Sequence, residues 1–162
     1  IKGNEDLLKK MVEQNEEIGL HTWDHKDLTT LSKSSAKKEI IKTDNAIYKS
    51  CGQHATVLRP PYGAYDKTTL SVAKKCGLPV IMWNIDVRDW ATKDSAKVEA
   101  AILKQTRNGS ILVLHDLHKS SVDAIINVLH KKKKKGFEVV TVSELAKINA
   151  TTLKPGKVYN GE

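Results

Sequence analysis

The sequence is poor in cysteine and in aromatic residues. Its 162 residues include two cysteines and only 5% aromatic residues. Cys51 and Cys76 are too few for a scaffold built on disulfides, and they are too far apart for a CxxC metal or redox motif. Each precedes a glycine at a predicted helix end, so we expect two buried free thiols, with a bridge between them as the alternative. The pair leaves the redox compartment open.

Long apolar runs are absent as well. No segment approaches the roughly 18 apolar residues that a membrane helix needs, and we expect no membrane span in this chain. The first residues contain no apolar signal region, which predicts that a targeting segment is either absent or already removed. With 40% hydrophobic residues, the chain can bury one sizeable core and is most simply one soluble domain.

Positive charge is plentiful, and the formal net charge is +8. Such a charge favours encounters with nucleic acid, phospholipid or acidic cell-wall polymers without choosing among them. The lysine run from Lys131 to Lys135 ends a predicted helix before Gly136, where cations complement the helix dipole, so we expect a solvated helix end there. Because no interleaved aromatic residues or recognition motif accompany the basic residues, nucleic acid is not expected as a partner.

Short apolar runs alternate with helical periodicity along the whole chain. Strands are predicted at 18–20, 55–58, 79–83, 110–114 and 138–142. Helices are predicted at 4–15, 34–50, 66–75, 94–105, 121–135 and 143–148, the second of them capped by Ser35. This alternation predicts an α/β fold with right-handed β-α-β units and a parallel sheet, either open or closed into a barrel.

Chemically active side chains follow four of the predicted strands. His21 and His25 come after the first strand, four residues apart. Neutral imidazole is a common zinc ligand, although surface or hydrogen-bonded core histidines remain an alternative on spacing alone. Arg59, Asp86 and His115 stand at or just past the ends of the next three strands. Since the carboxyl ends of parallel strands share one rim, we expect an active site on that rim.

Four motifs at these positions resemble those of the polysaccharide deacetylases of carbohydrate esterase family four, metal-dependent enzymes that remove N- or O-acetyl groups from sugar polymers. His21-Thr-Trp-Asp-His25, after Glu17-Ile-Gly19, matches the H-[ST]-x-x-H metal motif. The other three are Arg59-Pro-Pro-Tyr-Gly63 for R-P-P-[YF]-G, Asp86-Val-Arg-Asp-Trp90 for D-x-x-D-W, and Leu114-His115-Asp116 for L-H-D. The resemblance implies a TIM-like (β/α) barrel, distorted or incomplete in this chain.

The family's first motif, T-F-D-D-G, has no counterpart in this sequence. By resemblance, that motif supplies the third metal ligand and the catalytic base. We therefore expect residues 1–150 to be the C-terminal portion of a catalytic domain that lacks its first strands, followed by a tail at 151–162. The missing N-terminal fragment, held as a second chain, is a candidate partner.

The resemblance also implies roles for the first two motifs. His21 and His25 would hold one divalent metal ion, for which zinc is expected and cobalt or nickel are alternatives. The ion would activate water and polarise the acetyl carbonyl. Arg59 would orient the missing base aspartate, and the Tyr62 main-chain N–H would stabilise the oxyanion.

The last two motifs supply the remaining roles. His115 would be the general acid that protonates the leaving amine, and Asp86 would hold the protonated imidazole. Trp90 would wall the sugar groove, with Val113 and Leu114 near the acetyl methyl group.

The expected function is removal of acetyl groups from N-acetylated glycans such as peptidoglycan or chitin-like polymers, at an extracellular or cell-surface location that follows from the resemblance only. The alternatives are an O-acetyl xylan esterase of the same family and a non-catalytic, carbohydrate-binding pseudoenzyme.

Overall fold

The computed structural model describes residues 1–161. The α-helices of this part are α1 (Glu5–Glu13), α2 (Lys33–Cys51), α3 (Lys67–Lys75), α4 (Asp89–Thr92), α5 (Ser95–Gln105), α6 (Lys119–Lys134) and α7 (Val142–Ile148). The strands are β1 (Gly19–Leu20), β2 (Val57–Leu58), β3 (Val80–Ile81), β4 (Ile85–Asp86), β5 (Leu112–Val113) and β6 (Val158–Tyr159). The chain divides into a first unit, Ile1–Met82 with Thr141–Tyr159, and a second unit, Trp83–Val140 with the chain from Asn160 onward.

The first unit is built on a parallel sheet with the strand order β1-β2-β3-β6. Helix α2 contacts both α1 and α3. The strand residues are apolar because a parallel sheet is covered on both faces. The buried core consists of Ile18, Leu20, Leu28, Ala36, Ile40, Ile47, Leu58, Val72, Ala73, Leu78 and Val80.

The second unit is built on the parallel pair β4 and β5, in which Asp86 lies opposite Val113. Helices α5 and α6 pack against each other. The core of this unit consists of Ile85, Val87, Val98, Ile102, Ala124 and Val128. The α/β class with parallel strands is therefore confirmed, and the strand pairing among residues 1–161 does not close into a barrel.

Screened from residue 1 to residue 161, the structure contains no helix with the length and apolar character needed to cross a membrane.

Helices α2, α3 and α5 each begin after a residue whose side chain accepts a hydrogen bond from a free main-chain N–H group of the first turn. Ser32, rather than the predicted Ser35, caps α2, and its hydroxyl accepts a hydrogen bond from the Ser35 N–H. Asp66 and Asp94 cap α3 and α5 in the same way.

Both cysteines are half-buried free thiols in the described part of the chain.

The lysine run at the end of α6 is less solvated than the sequence indicates. Lys132 is buried, and its ammonium donates to the Thr106 carbonyl at the end of α5 and lies 4.3 Å from the Phe137 ring. Lys131 pairs with Glu99 on α5. Two members of the run thus join α6 to neighbouring segments of the second unit.

The prediction of a strand at 138–142 is wrong. The main-chain N–H of Thr141 donates to the Glu144 carboxylate, and the Thr141 hydroxyl accepts from the Glu144 N–H. This capping box starts α7 at Val142. No strand among residues 1–161 pairs with the segment before it, so its amides have no ladder to join.

The segment 151–162, predicted as a tail, contributes β6. Val158 pairs with Val80 of β3, and the Val80 N–H donates to the Lys157 carbonyl. The preceding turn lies against α3 at Gly156, whose φ is 73°. A Cβ atom at this position would lie 2.8 Å from the Leu70 carbonyl oxygen, so the turn requires glycine.

Candidate active site

His21 is the first residue after β1, and Arg59 is the first residue after β2. Leu20 pairs in parallel with Leu58, so both residues leave the sheet at the same edge. The His21 Nδ1 donates to the Arg59 carbonyl oxygen at 2.6 Å. Because a carbonyl can only accept, this bond fixes the proton on Nδ1 and leaves the Nε2 lone pair of the neutral ring for a ligand.

His25 lies beside His21 and Tyr62 in the first unit. The ring centroids of His21 and His25 are 4.8 Å apart, and those of His25 and Tyr62 are 4.7 Å apart. Tyr62 belongs to a short 3-10 helix at Pro61–Gly63, has a φ of 60° and is 71% exposed. The structure therefore brings together three residues that the sequence assigns to one site.

The Arg59 side chain is fixed at the end of β3. Its Nε donates to the Ile81 carbonyl at 3.3 Å and its Nη2 to the Met82 carbonyl at 3.2 Å. Burial lowers the pKa of the guanidinium from its usual value. These bonds set the direction of the guanidinium. Its expected role, orienting a base aspartate, stays a prediction.

The two imidazoles fit as part of a metal site. Their rings are close, and His21 is oriented through the nitrogen that a metal would not use, which is how metal-binding histidines are generally held. Among residues 1–161, no group of three or more His, Cys, Asp or Glu side chains is arranged to hold an ion. The described residues thus supply two candidate ligands and not a complete set.

In the second unit, His115 is held by Asp89. The imidazole Nδ1 of His115 donates to Asp89 Oδ1 at 2.9 Å, and the main-chain N–H of His115 donates to Oδ2 at 2.8 Å. The Ser121 hydroxyl also donates to Oδ2, at 2.6 Å. The Asp89 side chain is 0% exposed, so it forms a fully buried and hydrogen-bonded carboxylate.

The prediction that Asp86 holds His115 is corrected by this geometry. Asp86 is exposed, and its Oδ1 accepts a hydrogen bond from the Arg88 main-chain N–H. Arg88 has a left-handed conformation, with a φ of 50°, at the start of α4. Within the turn that follows β4, the buried carboxylate is therefore Asp89, three residues after Asp86.

Asp89 is held as a carboxylate. Burial alone would raise its pKa, but the hydrogen bonds from Ser121 and from the ring and main chain of His115 outweigh burial, so the pKa lies below its usual value. A buried negative charge with three donors is suited to orient the imidazole ring of His115.

The predicted substrate-binding residues of the second unit differ in exposure. Trp90 is 46% exposed, and the Arg88 guanidinium lies 5.5 Å from the centre of its ring. Val113 is buried on β5, and Leu114 is half-buried against the core of the second unit. Trp90 is accessible to a ligand, whereas Val113 and Leu114 have the surroundings of core residues.

Two further polar residues contact these sites: Ser121 bonds Asp89, and Glu39 accepts hydrogen bonds from the main-chain N–H groups of Trp23 and Asp24. Ser121 carries no local signal, because its contact with Asp89 spans 32 residues of sequence. Glu39, in contrast, carries a local sequence signal. It lies on the helix face that also contains Ala36, Ile40 and Thr43, all of which are buried. Helical periodicity alone indicates an acid inside the core, which requires hydrogen-bonding partners.

The structure thus combines a parallel α/β fold with a histidine pair after β1 and, in the second unit, an imidazole held by a buried carboxylate. The family model for polysaccharide deacetylases matches residues 1–81. This chain belongs to the polysaccharide deacetylase family.

Relatives and solved structures agree with this assignment. A peptidoglycan N-acetylglucosamine deacetylase of Listeria monocytogenes is 37% identical over 156 residues, which are 96% of this chain and 32% of that protein. A peptidoglycan N-acetylmuramic acid deacetylase of Bacillus subtilis is 32% identical over 143 residues, covering 88% of this chain and 30% of that protein. The chain thus spans about a third of the length of these two curated relatives.

The structural comparison extends over nearly the whole chain. The solved structure of the T48 deacetylase with substrate superposes with a TM-score of 0.91 at 36% sequence identity. The match covers 98% of this chain and 77% of that structure.

Proposed function

We propose that this protein is a metal-dependent deacetylase that removes N-acetyl groups from peptidoglycan. The observation that carries the proposal is the oriented histidine pair. His21 and His25 lie 4.8 Å apart, and the Nδ1 of His21 is engaged by the Arg59 carbonyl, which directs Nε2 away from that bond. The fully buried Asp89 carboxylate orients the imidazole of His115, whose side chain is 43% exposed and is therefore accessible for proton transfer.

His21 and His25 would hold the metal as two of its ligands. A bound divalent ion, for which zinc is expected and cobalt or nickel are alternatives, would polarise the acetyl carbonyl and acidify the attacking water. Arg59 keeps His21 in place through its carbonyl and would direct its guanidinium to a carboxylate. The main-chain N–H of Tyr62 would donate to the oxyanion as the carbonyl is attacked.

His115 would donate a proton from Nε2 to the leaving amine, because Asp89 occupies its Nδ1. Asp89 is a positioning residue in this scheme, since it acts through the imidazole. The exposed Trp90 ring offers a surface on which a sugar ring can stack. The expectation that Val113 and Leu114 lie near the acetyl methyl group stays a prediction, since Val113 is buried and Leu114 packs against the core of the second unit.

Peptidoglycan is preferred over other glycans for two reasons. Two of the relatives are named for activity on peptidoglycan, one on N-acetylglucosamine and one on N-acetylmuramic acid residues. The net charge of +8 also suits an acidic cell-wall polymer. Because such a substrate lies outside the cell or at its surface, we propose the same location for this protein. Chitin-like oligosaccharides and acetylated xylan are the competing substrates.

A non-catalytic, carbohydrate-binding protein of the same family is the second candidate. It is favoured by the absence, among residues 1–161, of a group of three or more potential metal ligands. An activity measurement separates the two candidates, because only the enzyme releases acetate.

The test uses the protein at its full natural length, loaded with Zn²⁺ and incubated with N-acetylated peptidoglycan. We expect acetate and new free amines to appear in equal amounts. Chitooligosaccharides and acetylated xylan serve as parallel substrates. Binding of peptidoglycan without any acetate release would reject the enzyme and support the binding protein, and faster release from xylan would support the esterase.

A further inference from the structure

The loop between His21 and His25 is bound to a carboxylate of helix α2. Glu39 Oε2 accepts hydrogen bonds from the main-chain N–H groups of Trp23, at 3.0 Å, and Asp24, at 2.9 Å. The other oxygen, Oε1, lies 3.2 Å from the Lys26 ammonium. One side chain from a distant part of the sequence therefore contacts two of the three residues between the histidines and one residue just after His25.

The loop has a backbone conformation that needs such support. Thr22 and His25 have φ values of 65° and 53°, in the left-handed region that non-glycine residues rarely adopt. Between them, the N–H groups of Trp23 and Asp24 point at one site, as in the concavities that consecutive amides form around anions. The Glu39 carboxylate occupies that concavity.

Glu39 is itself anchored. It is 9% exposed, and its neighbours on the same helix face, Ile40 and Thr43, are also buried. Burial alone would raise the pKa of Glu39, but the amides of Asp24 and Trp23 and the ammonium of Lys26 outweigh it and lower the pKa. The carboxylate is thus charged, rigidly held and joined to the loop by charge-assisted hydrogen bonds, the stronger kind.

We propose that Glu39 is a positioning residue for the metal site: by holding the amides of Trp23 and Asp24, it fixes the separation and direction of the His21 and His25 rings. This proposal rests on the proposed function, because it assumes that the two rings bind a metal. In this scheme Glu39 is not itself a ligand, and its effect would pass through the loop backbone that it holds.

Titration of the full-length, metal-free protein with Zn²⁺ tests this role. Glu39→Ala is expected to weaken Zn²⁺ binding by about 10–100-fold, the usual effect of losing a group that orients metal ligands. Glu39→Gln keeps the shape and one acceptor oxygen but loses the charge, so we expect a smaller loss, about 3–10-fold. It also serves as the folded variant in case Glu39→Ala does not fold.

Two further readouts separate positioning from general stability. The amides of Trp23 and Asp24 should exchange faster with solvent in both Glu39 variants of the metal-free protein. The visible spectrum of bound Co²⁺, which reports ligand geometry, should change in Glu39→Gln. Urea unfolding of each variant measures any loss of stability independently of the loop.

Glu17→Gln is the matched control. Glu17 lies in the same unit and accepts hydrogen bonds from the Ser143 N–H and from the Thr56 hydroxyl, with no bond to the loop. We expect its Zn²⁺ affinity to stay within about twofold of wild type. Wild-type-like affinity and an unchanged Co²⁺ spectrum in the Glu39 variants would overturn the proposal alone. Absence of Zn²⁺ binding in the wild-type protein would overturn the proposed function as well.

Discussion

Replacing His21 or His25 by alanine is expected to lower Zn²⁺ affinity and acetate release by about 10³-fold each. This factor corresponds to roughly 4 kcal/mol, the scale on which a metal ion stabilises the charge of a transition state. We expect a large loss for each histidine, because no group of three or more candidate ligands exists among residues 1–161. No other described side chain is therefore in place to substitute for the one removed. The measurements are zinc titration and initial rates on N-acetylated peptidoglycan.

His54→Ala is the control for this pair. His54 lies in the same unit, stacks on Tyr48 with ring centroids 4.3 Å apart and contacts Asp44 at 2.8 Å, so it takes part in local packing alone. Its replacement should leave zinc affinity and rate within about twofold of wild type. Retention of stoichiometric zinc and of activity in both His21→Ala and His25→Ala would contradict the assignment of the metal ligands.

The second large effect is expected from the Asp89–His115 pair. Loss of a general acid generally costs 10²–10⁴-fold in rate, and we expect a fall in kcat of about that size for His115→Gln. Asp89→Asn should lower kcat by about 10²-fold with little change in KM, because the residue orients the imidazole and does not bind substrate. In Asp89→Asn, an NH₂ group also replaces one of the two acceptor oxygens. This donor would face the donors of Ser121 or His115, which would lose their hydrogen bonds.

Asp86→Asn separates the two aspartates of this motif. Asp86 is exposed and accepts only a local hydrogen bond from Arg88 in the described structure, so its replacement should change kcat by less than about threefold. A large loss of kcat in Asp86→Asn together with a small loss in Asp89→Asn would restore the assignment made from sequence.

Urea unfolding should show Asp89→Asn to be less stable by about 1–3 kcal/mol, because buried donors lose their partner.

The sequence predicts well those features that depend on local periodicity. Apolar runs identify β1, β2, β3 and β5, and polar side chains at their ends identify the positions of His21, Arg59 and His115. Parallel pairing then places such residues at one edge of a sheet, as the bond between His21 and Arg59 shows in the first unit. Motif order and strand ends are sufficient to locate these three residues.

The choice between Asp86 and Asp89 could not be made from spacing. Both residues follow the same predicted strand, and in the structure a left-handed residue, Arg88, separates the exposed Asp86 from the buried Asp89. Backbone turns of this kind depend on tertiary contacts rather than on the identity of one residue. The hydrogen bonds to Ser121 and His115 cross 32 and 26 residues of sequence and become visible only when β4, β5 and α6 are assembled.

The strand predicted at 138–142 failed for another reason. Its β-branched residues favour a strand, but a strand forms only beside a partner, and the capping box of Thr141 and Glu144 offers a local alternative. Conversely, β6 was missed because two residues, Val158 and Tyr159, give too short a run to be recognised without β3 beside them.

In the proposed function, the histidine pair would hold the metal of a peptidoglycan deacetylase. The most direct test is a titration of the metal-free, full-length protein with Zn²⁺ while acetate release from N-acetylated peptidoglycan is recorded. We predict that the rate rises in proportion to bound zinc, reaches a plateau at about one ion per protein and stays at background in His21→Ala. Acetate release that is independent of zinc, or none at any zinc concentration, would contradict this claim.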